Sequence, residues 1–223
     1  MVPVVTVDGP SGAGKGTVSQ QLAGHLGWHF LDSGAMYRLC GLACLKAGID
    51  FADTAAVADK ARQLDIDFRI VAGGLQTWLD GEEVTAELRT ERGGAAASQV
   101  AAIGAVREAL KARQQAFARP PGLVADGRDM GTVIFPDAPL KIYLTASAEE
   151  RAQRRYRQLQ QAGETVNLAA ILKDIRERDE RDMNRSVAPL KPADDAIVID
   201  SSQMGIDAVF DAVLALVKQR QLA

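Results

Sequence analysis

The chain is short of the residues that make covalent or metal scaffolds, with two cysteines and two histidines in 223 residues. Cys40 and Cys44 stand one helical turn apart in an apolar segment. That spacing suits small core residues in a reducing cytoplasm, not a disulfide or a metal site. His25 and His29 have no cluster of partners and read as structural. Basic residues are not in excess: 26 Lys and Arg against 29 Asp and Glu leave a net charge of −3, which argues against a general nucleic-acid surface. No stretch approaches the roughly 20 apolar residues of a membrane span. The opening Met1-Val-Pro-Val-Val-Thr-Val-Asp8 lacks a basic lead-in and a small-residue cleavage site, so it reads as a buried first strand and not as a signal peptide. Low-complexity tracts and internal repeats are missing too. A chain of this length suits one α/β core with an appended subdomain.

What is present is an alternation of short β-branched runs with longer amphipathic stretches. Val4–Val7, Phe30–Leu31, Leu123–Ala125, Leu140–Leu144 and Ala196–Ile199 are apolar nearly throughout, as parallel strands covered on both faces must be. Ile206, Val209, Phe210, Val213, Leu214 and Val217 fall on one stripe of a helix. Ser147 and Glu150 have capping-box spacing at the start of another helix. The pattern predicts a doubly wound α/β fold with a parallel five-stranded sheet. One region departs from it. Ile66–Val71, a Gly73-Gly74 pair, Leu75–Leu79 and an Asp80-Gly81 turn read as a small antiparallel insert within residues 60–95.

The segment Gly9-Pro10-Ser11-Gly12-Ala13-Gly14-Lys15-Gly16-Thr17 follows the first strand and opens a helix with Val18, Leu22 and Leu26 inward. In that context glycines let backbone N–H groups turn toward phosphate oxygens. The helix N-terminus favours negative charge, and a lysine reaches the outer phosphates. The hydroxyl that ligates Mg²⁺ in such loops normally follows the lysine directly; here Gly16 intervenes and Thr17 carries it.

A phosphate loop alone also fits a nucleotide-gated switch, but three arginine clusters point to transfer between two phosphorylated ligands. Such a reaction gathers anions that repel each other, and planar guanidinium groups suit it well. The clusters are Asp32-Ser33-Gly34-Ala-Met-Tyr37-Arg38, Asp126-Gly127-Arg128-Asp129-Met-Gly131-Thr132, and Arg176-Glu-Arg178-Asp-Glu-Arg181-Asp182-Met-Asn184-Arg185. The first two follow strands, where open α/β sheets bind ligands. In the third, a continuous helix would put Arg178, Asp182 and Arg185 on one face. Taken alone, that run equally fits a solvated helix laced with ion pairs. With Arg151, Arg154 and Arg155 upstream it also fits a mobile, arginine-bearing lid over residues 147–187. No Asn-Lys-x-Asp guanine-reading motif occurs.

These motifs, with Ala-Ala-Ser-Gln-Val-Ala-Ala at 96–102 and Arg178-Asp-Glu-Arg-Asp-Met-Asn-Arg-Ser-Val-Ala-Pro-Leu190, make the chain resemble the bacterial cytidylate kinase family nearly end to end. The resemblance implies one P-loop kinase domain over 1–223 with a monophosphate-binding insert and a helical lid. It implies phosphorylation of CMP and dCMP by ATP with Mg²⁺, in a cytoplasmic protein expected to be monomeric and to bind neither nucleic acid nor membrane. Gly9–Thr17 would hold ATP, with Thr17 on the metal. Ser33, Arg38, Ser98, Arg107, Arg128, Asp129, Arg178, Asp182 and Arg185 would hold CMP, and Lys15, Arg128, Arg178 and Arg185 would be catalytic. Within that set Ser98, Arg128 and Asp129 would read cytosine, and Asp182 the pentose hydroxyls. UMP or AMP remains an alternative acceptor. The chain departs from the family pattern at Gly104, where proline is frequent, and at Gly93-Gly94, which are expected to loosen the approach to Ser98.

Overall fold

The apolar opening of the chain forms strand β1 (Val4–Asp8), buried at every residue. Helix α1 (Lys15–Leu26) and strand β2 (His29–Asp32) follow. The structure is a computed structural model and describes residues 2–71, 74–88 and 90–222. It contains two compact units, one made of Met1–Asp32 with Gln115–Ala223 and the other of Ser33–Gln114.

In the first unit the chain resumes with strand β6 (Leu123–Gly127) and a wide turn at Met130–Ile134, whose Ile134 and Phe135 N–H groups reach back five residues to the Asp129 and Met130 carbonyls. Such i→i+5 turns are rare and frequently mark functional sites. Strand β7 (Leu140–Thr145), helix α7 (Ala148–Gln161), helix α8 (Leu168–Met183), strand β8 (Ile197–Asp200) and helix α9 (Ile206–Gln219) complete the unit. The expected five strands form one parallel sheet in the order β2-β6-β1-β7-β8. Their register aligns the carboxyl ends, with Asp8 opposite Gly127 and Tyr143, and Asp32 opposite Asp126.

The core lies between the sheet and the helix pair α1/α9. Val18 and Leu22 of α1 and Val209, Val213 and Val217 of α9 pack on Val5, Val7, Val124, Leu140, Ile142 and Leu144. Leu22 has no exposed surface, so truncating it to alanine is expected to cost about 2–5 kcal/mol. The α9 stripe is narrower than the periodicity predicts, because Ile206 is 37% exposed. Ser147 caps α7 as its spacing predicts, accepting from the Glu150 N–H at 3.2 Å. Among the described residues, no helix is long and apolar enough to cross a membrane.

The second unit comprises α2 (Ser33–Lys46), α3 (Thr54–Gln63), strands β3 (Ile66–Val71), β4 (Gly74–Leu79) and β5 (Glu82–Glu83), then α4 (Thr85–Leu88), α5 (Glu91–Val100) and α6 (Gly104–Gln115). The three strands are antiparallel, as expected of the insert. Asp80 and Gly81 turn β4 into β5 with positive φ at both residues (50° and 82°), the conformation that favours an Asp-Gly pair. Gly73, half of the expected Gly-Gly turn, lies outside the described residues. Cys40 and Cys44 are buried and reduced on α2, and burial raises both thiols, Cys40 to about 12. Gly93 acts against expectation. A Cβ there would stand 3.0 Å from the Glu87 carbonyl and 3.1 Å from that of Leu88, so glycine permits close packing of α5 on the end of α4. Gly104 is simply the first residue of α6.

Candidate functional site

The glycine-rich loop Gly9–Thr17, expected to hold the phosphoryl donor and called the donor loop below, begins where β1 ends. Gly9 has φ +148°, and a Cβ there would collide with the Leu144 carbonyl oxygen at 1.9 Å, so only glycine lets the chain leave the sheet here. Gly14 then caps α1 without any side chain, which leaves the N–H groups of the first turn directed at whatever occupies the loop. Lys15 opens that turn. Its ammonium donates to the Pro10 carbonyl at 2.9 Å and stands 3.8 Å from the Asp126 carboxylate at the end of β6. Burial lowers the Lys15 pKa to about 8, and the Arg128 guanidinium pushes the same way. Thr17, in contrast, is exposed on the first turn of α1.

Arg128 follows β6 and reaches α8. Its Nε donates to Asp182 Oδ2 at 3.0 Å, while Arg185 Nη2 donates to Asp182 Oδ1 at 2.6 Å. The Asp182 carboxylate therefore joins two arginines. Burial alone would raise its pKa, but Arg128, Arg185 and Arg178 together hold it below the ordinary carboxylate value. Burial likewise opposes the charge of Arg128, and the Asp182 and Asp126 carboxylates outweigh it, so the net shift is upward. Arg178 also presses the Lys15 pKa down. In this unit the structure thus gathers Lys15, Arg128, Arg178 and Arg185 around Asp126 and Asp182. The helix does not carry all of this as the spacing predicts. Helix α8 ends at Met183 with Asn184 as its cap, so Arg185 lies beyond the helix and not on its i+7 face. It still pairs with Asp182, three residues back, and further on the Leu190 N–H donates to the Asp182 carbonyl at 2.8 Å.

Arg151 does not behave as a mobile lid arginine either. It is buried, pairs with Asp179 of α8 at 2.5 and 3.1 Å, and donates to the Ala146 carbonyl and, at 3.1 Å, to the Ser11 carbonyl of the donor loop. A bidentate buried pair of this kind is a brace. Arg154 donates to the Ser201 carbonyl at 2.6 Å, and the Ser201 hydroxyl lies between the Ala13 and Thr145 carbonyls at 3.2 and 3.0 Å. The loop that enters α9 is thereby fastened to the donor loop.

Sequence reasoning passed over Asp8, whose carboxylate accepts from the Met130 and Gly131 N–H groups at 2.8 and 2.7 Å. Burial raises its pKa to about 7 against the opposing pull of those two bonds. Its one sequence signal was a carboxylate at the end of an otherwise apolar strand. Asp129 is also buried, 1% exposed, just before the wide turn.

The second unit carries the other predicted residues. Ser33 opens α2 and donates to the Gln114 amide oxygen at 2.6 Å, both side chains being buried. One turn on, the Tyr37 ring lies under the Arg107 guanidinium, 5.4 Å from ring centroid to Cζ. Arg107 is held by the Ala101 carbonyl at 3.1 Å, Ser98 is buried on α5, and Arg38 is half-buried on α2. Gln114 was not anticipated, since nothing in its surroundings in the sequence marks it.

Among the described residues no cluster of three or more His, Cys, Asp or Glu side chains suits a resident metal ion. Mg²⁺ brought with a nucleotide takes few protein ligands and several phosphate oxygens and waters. Thr17 offers an accessible oxygen of the right kind, and Asp126 supplies a nearby carboxylate.

Comparison with known proteins shows the family of this chain. The cytidylate kinase family model matches residues 5–219. The chain is 58% identical to a cytidylate kinase of Stutzerimonas stutzeri (strain A1501) over all of its own length and 98% of that protein's. It is 56% identical to one from Aeromonas salmonicida (strain A449) over 99% of this chain and 96% of the other. Among solved structures it is similar to a shikimate kinase from Acinetobacter baumannii, with TM-score 0.45, 20% identity, and 100% and 97% of the two chains covered. With a phosphate loop, an arginine-rich α8 and a family match spanning nearly every residue, this chain belongs to the cytidylate kinase family.

Proposed function

We propose that this chain is an ATP-dependent kinase for CMP and dCMP, working as a monomer in the cytoplasm. The observation that carries the reading is the gathering of Lys15, Arg128, Arg178 and Arg185 beside an open helix N-terminus. ATP lies on Gly9–Thr17 with its outer phosphates against Lys15 and the α1 N–H groups. Thr17 would hold Mg²⁺, which would supply charge neutralisation to the phosphates when bound with ATP. Arg128, Arg178 and Arg185 hold the acceptor phosphate, Asp129 reads the base, and Asp182 serves the pentose while aligning Arg128 and Arg185. In the second unit, Ser33, Arg38, Ser98 and Arg107 are further CMP-binding residues. The acceptor phosphate needs no general base, because a phosphate monoester with a second pKa of about 6 is already a dianion at neutral pH. One of its oxygens bonds to the γ-phosphorus in line as the bond from that phosphorus to the β–γ bridging oxygen breaks. ADP leaves, and arginines balance the charge spread over the transferring group.

An ADP-release assay over CMP, dCMP, UMP and AMP tests this directly. CMP and dCMP are expected to give kcat/KM values at least tenfold above UMP and AMP. Equal rates with all four, or ATP hydrolysis indifferent to acceptor, would refute it.

A second expectation follows from Lys15. With a free-enzyme pKa near 8, its ammonium is intact below that pH and neutral above it, whereas bound polyphosphate favours the cation. ATP affinity should therefore fall as pH rises from 8 to 9.5, by up to about tenfold per unit. Kd values for ATP at fixed Mg²⁺ across that range, on wild type and Lys15→Met, provide the check. Only the wild type should show the slope, and a flat wild-type profile contradicts it.

A further inference from the structure

The structure assigns to Asp8 a positioning role in acceptor recognition: it clamps the segment Arg128–Asp129 from both sides and ties it to the donor loop. The backbone of Asp8 is the ladder partner of Gly127, the last residue of β6. Its carboxylate binds the N–H groups of Met130 and Gly131, one to each oxygen, across 122 and 123 residues of sequence. Arg128 and Asp129 are the two residues left between those attachments. Asp8 also precedes Gly9, where the donor loop leaves the sheet. One buried side chain thus sets where the donor loop starts and where the Arg128–Asp129 segment stands.

The carboxylate is specifically required. Two donors converge on it, and each of its oxygens accepts one. Asparagine has the same shape but one acceptor oxygen, so one backbone N–H would face an NH₂ group. The segment must then shift, and Asp129 with it. A merely structural role would weaken the fold and slow every acceptor alike. A positioning role acts on discrimination, because a displaced Asp129 loses its hydrogen bond to the cytosine amine, which uracil lacks. This inference rests on the reading of Asp129 as the group that recognises the base.

The test is a double-mutant cycle on the ratio of kcat/KM for CMP to that for UMP, using wild type, Asp8→Asn, Asp129→Asn and the double variant, each with its Tm. We expect Asp129→Asn to narrow the ratio at least fivefold and Asp8→Asn at least threefold, with the double variant no narrower than Asp129→Asn alone. If Asp129→Asn narrows the ratio while Asp8→Asn lowers both substrates equally, the role of Asp8 is overturned and the base reading stands. If Asp129→Asn leaves the ratio unchanged, both fall together. Amide hydrogen exchange on the wild-type protein gives a readout that needs no variant. The Met130 and Gly131 amides should exchange at least tenfold slower than unprotected peptide, and slower again with CMP bound. Unprotected exchange at either amide overturns the clamp even if Asp8→Asn fails to fold.

Discussion

Lys15→Ala should lower kcat at least a hundredfold, a loss of about 2.7 kcal/mol of transition-state stabilisation, and leave CMP binding nearly intact. The lysine is 5% exposed, and its ammonium is fixed between the Pro10 carbonyl and the Asp126 carboxylate. A charge held in place before the phosphates arrive needs little reorganisation as negative charge moves toward the leaving oxygen, and that is where such electrostatic terms are largest. Removing it also takes away the cation 3.8 Å from the Asp126 carboxylate, which adds repulsion toward the donor phosphates. Steady-state kinetics with saturating CMP, paired with a CMP titration by calorimetry, separates the two effects. A variant retaining more than a tenth of wild-type kcat would show that Lys15 does not serve the donor phosphates.

Arg128→Ala is expected to be more damaging in kcat/KM for CMP, by about a thousandfold, or about 4 kcal/mol. Arg128 is the point where the carboxyl end of β6 meets α8, and its guanidinium donates sideways to Asp182 through Nε. Its Nη1 also donates to the Gly127 carbonyl at 3.4 Å, so the planar fork is held in one orientation, a geometry lysine cannot reproduce. Arg128→Lys should therefore recover only part of the loss. The fold should survive, because Asp182 keeps Arg185 at 2.6 Å. A lost charge-assisted bond worth about 1–3 kcal/mol would lower Tm by on the order of 5 °C in a protein of this size. Kinetics and thermal melts on both variants decide the matter. If Arg128→Ala keeps kcat/KM within tenfold of wild type but melts more than about 10 °C lower, Arg128 is a structural ion-pair partner and nothing more.

The elements that were legible in the sequence share a property: their signals are local. The five strands are apolar runs, and each appears within two residues of its expected bounds. The central β1, β6 and β7 are buried nearly throughout, as strands covered on both faces must be, whereas the edge strand β8 leaves Val198 exposed. The Ser147 cap and the Asp80-Gly81 turn are decided by neighbours three residues away or fewer. The donor loop was legible for the same reason, since strand, glycines, lysine and helix are contiguous.

The errors and omissions are equally specific. Counting puts Arg185 on a helical face, but the helix ends two residues earlier, and Arg185 meets Asp182 as a neighbour three residues on, beyond the helix end. Arg151 reads in the sequence as one arginine of a lid; in the structure a carboxylate 28 residues away and a donor-loop carbonyl 140 residues away engage it. Gln114 meets Ser33 across 81 residues.

By itself the sequence determined which runs make the parallel strands, where the glycine-rich loop lies, and that arginines cluster at 176–185, because backbone propensity, patterning and loop motifs are read within a few neighbours. Only the tertiary structure decided which charges face which. It placed Asp8 under Met130 and Gly131, set Asp179 against Arg151, and made Asp182 the junction of Arg128 and Arg185. Those pairings depend on β6 lying beside β1 in the sheet and on where α8 stops, and a buried charge takes whichever partner that order brings within about 3 Å, since leaving it unpaired costs far more than any local preference can offset.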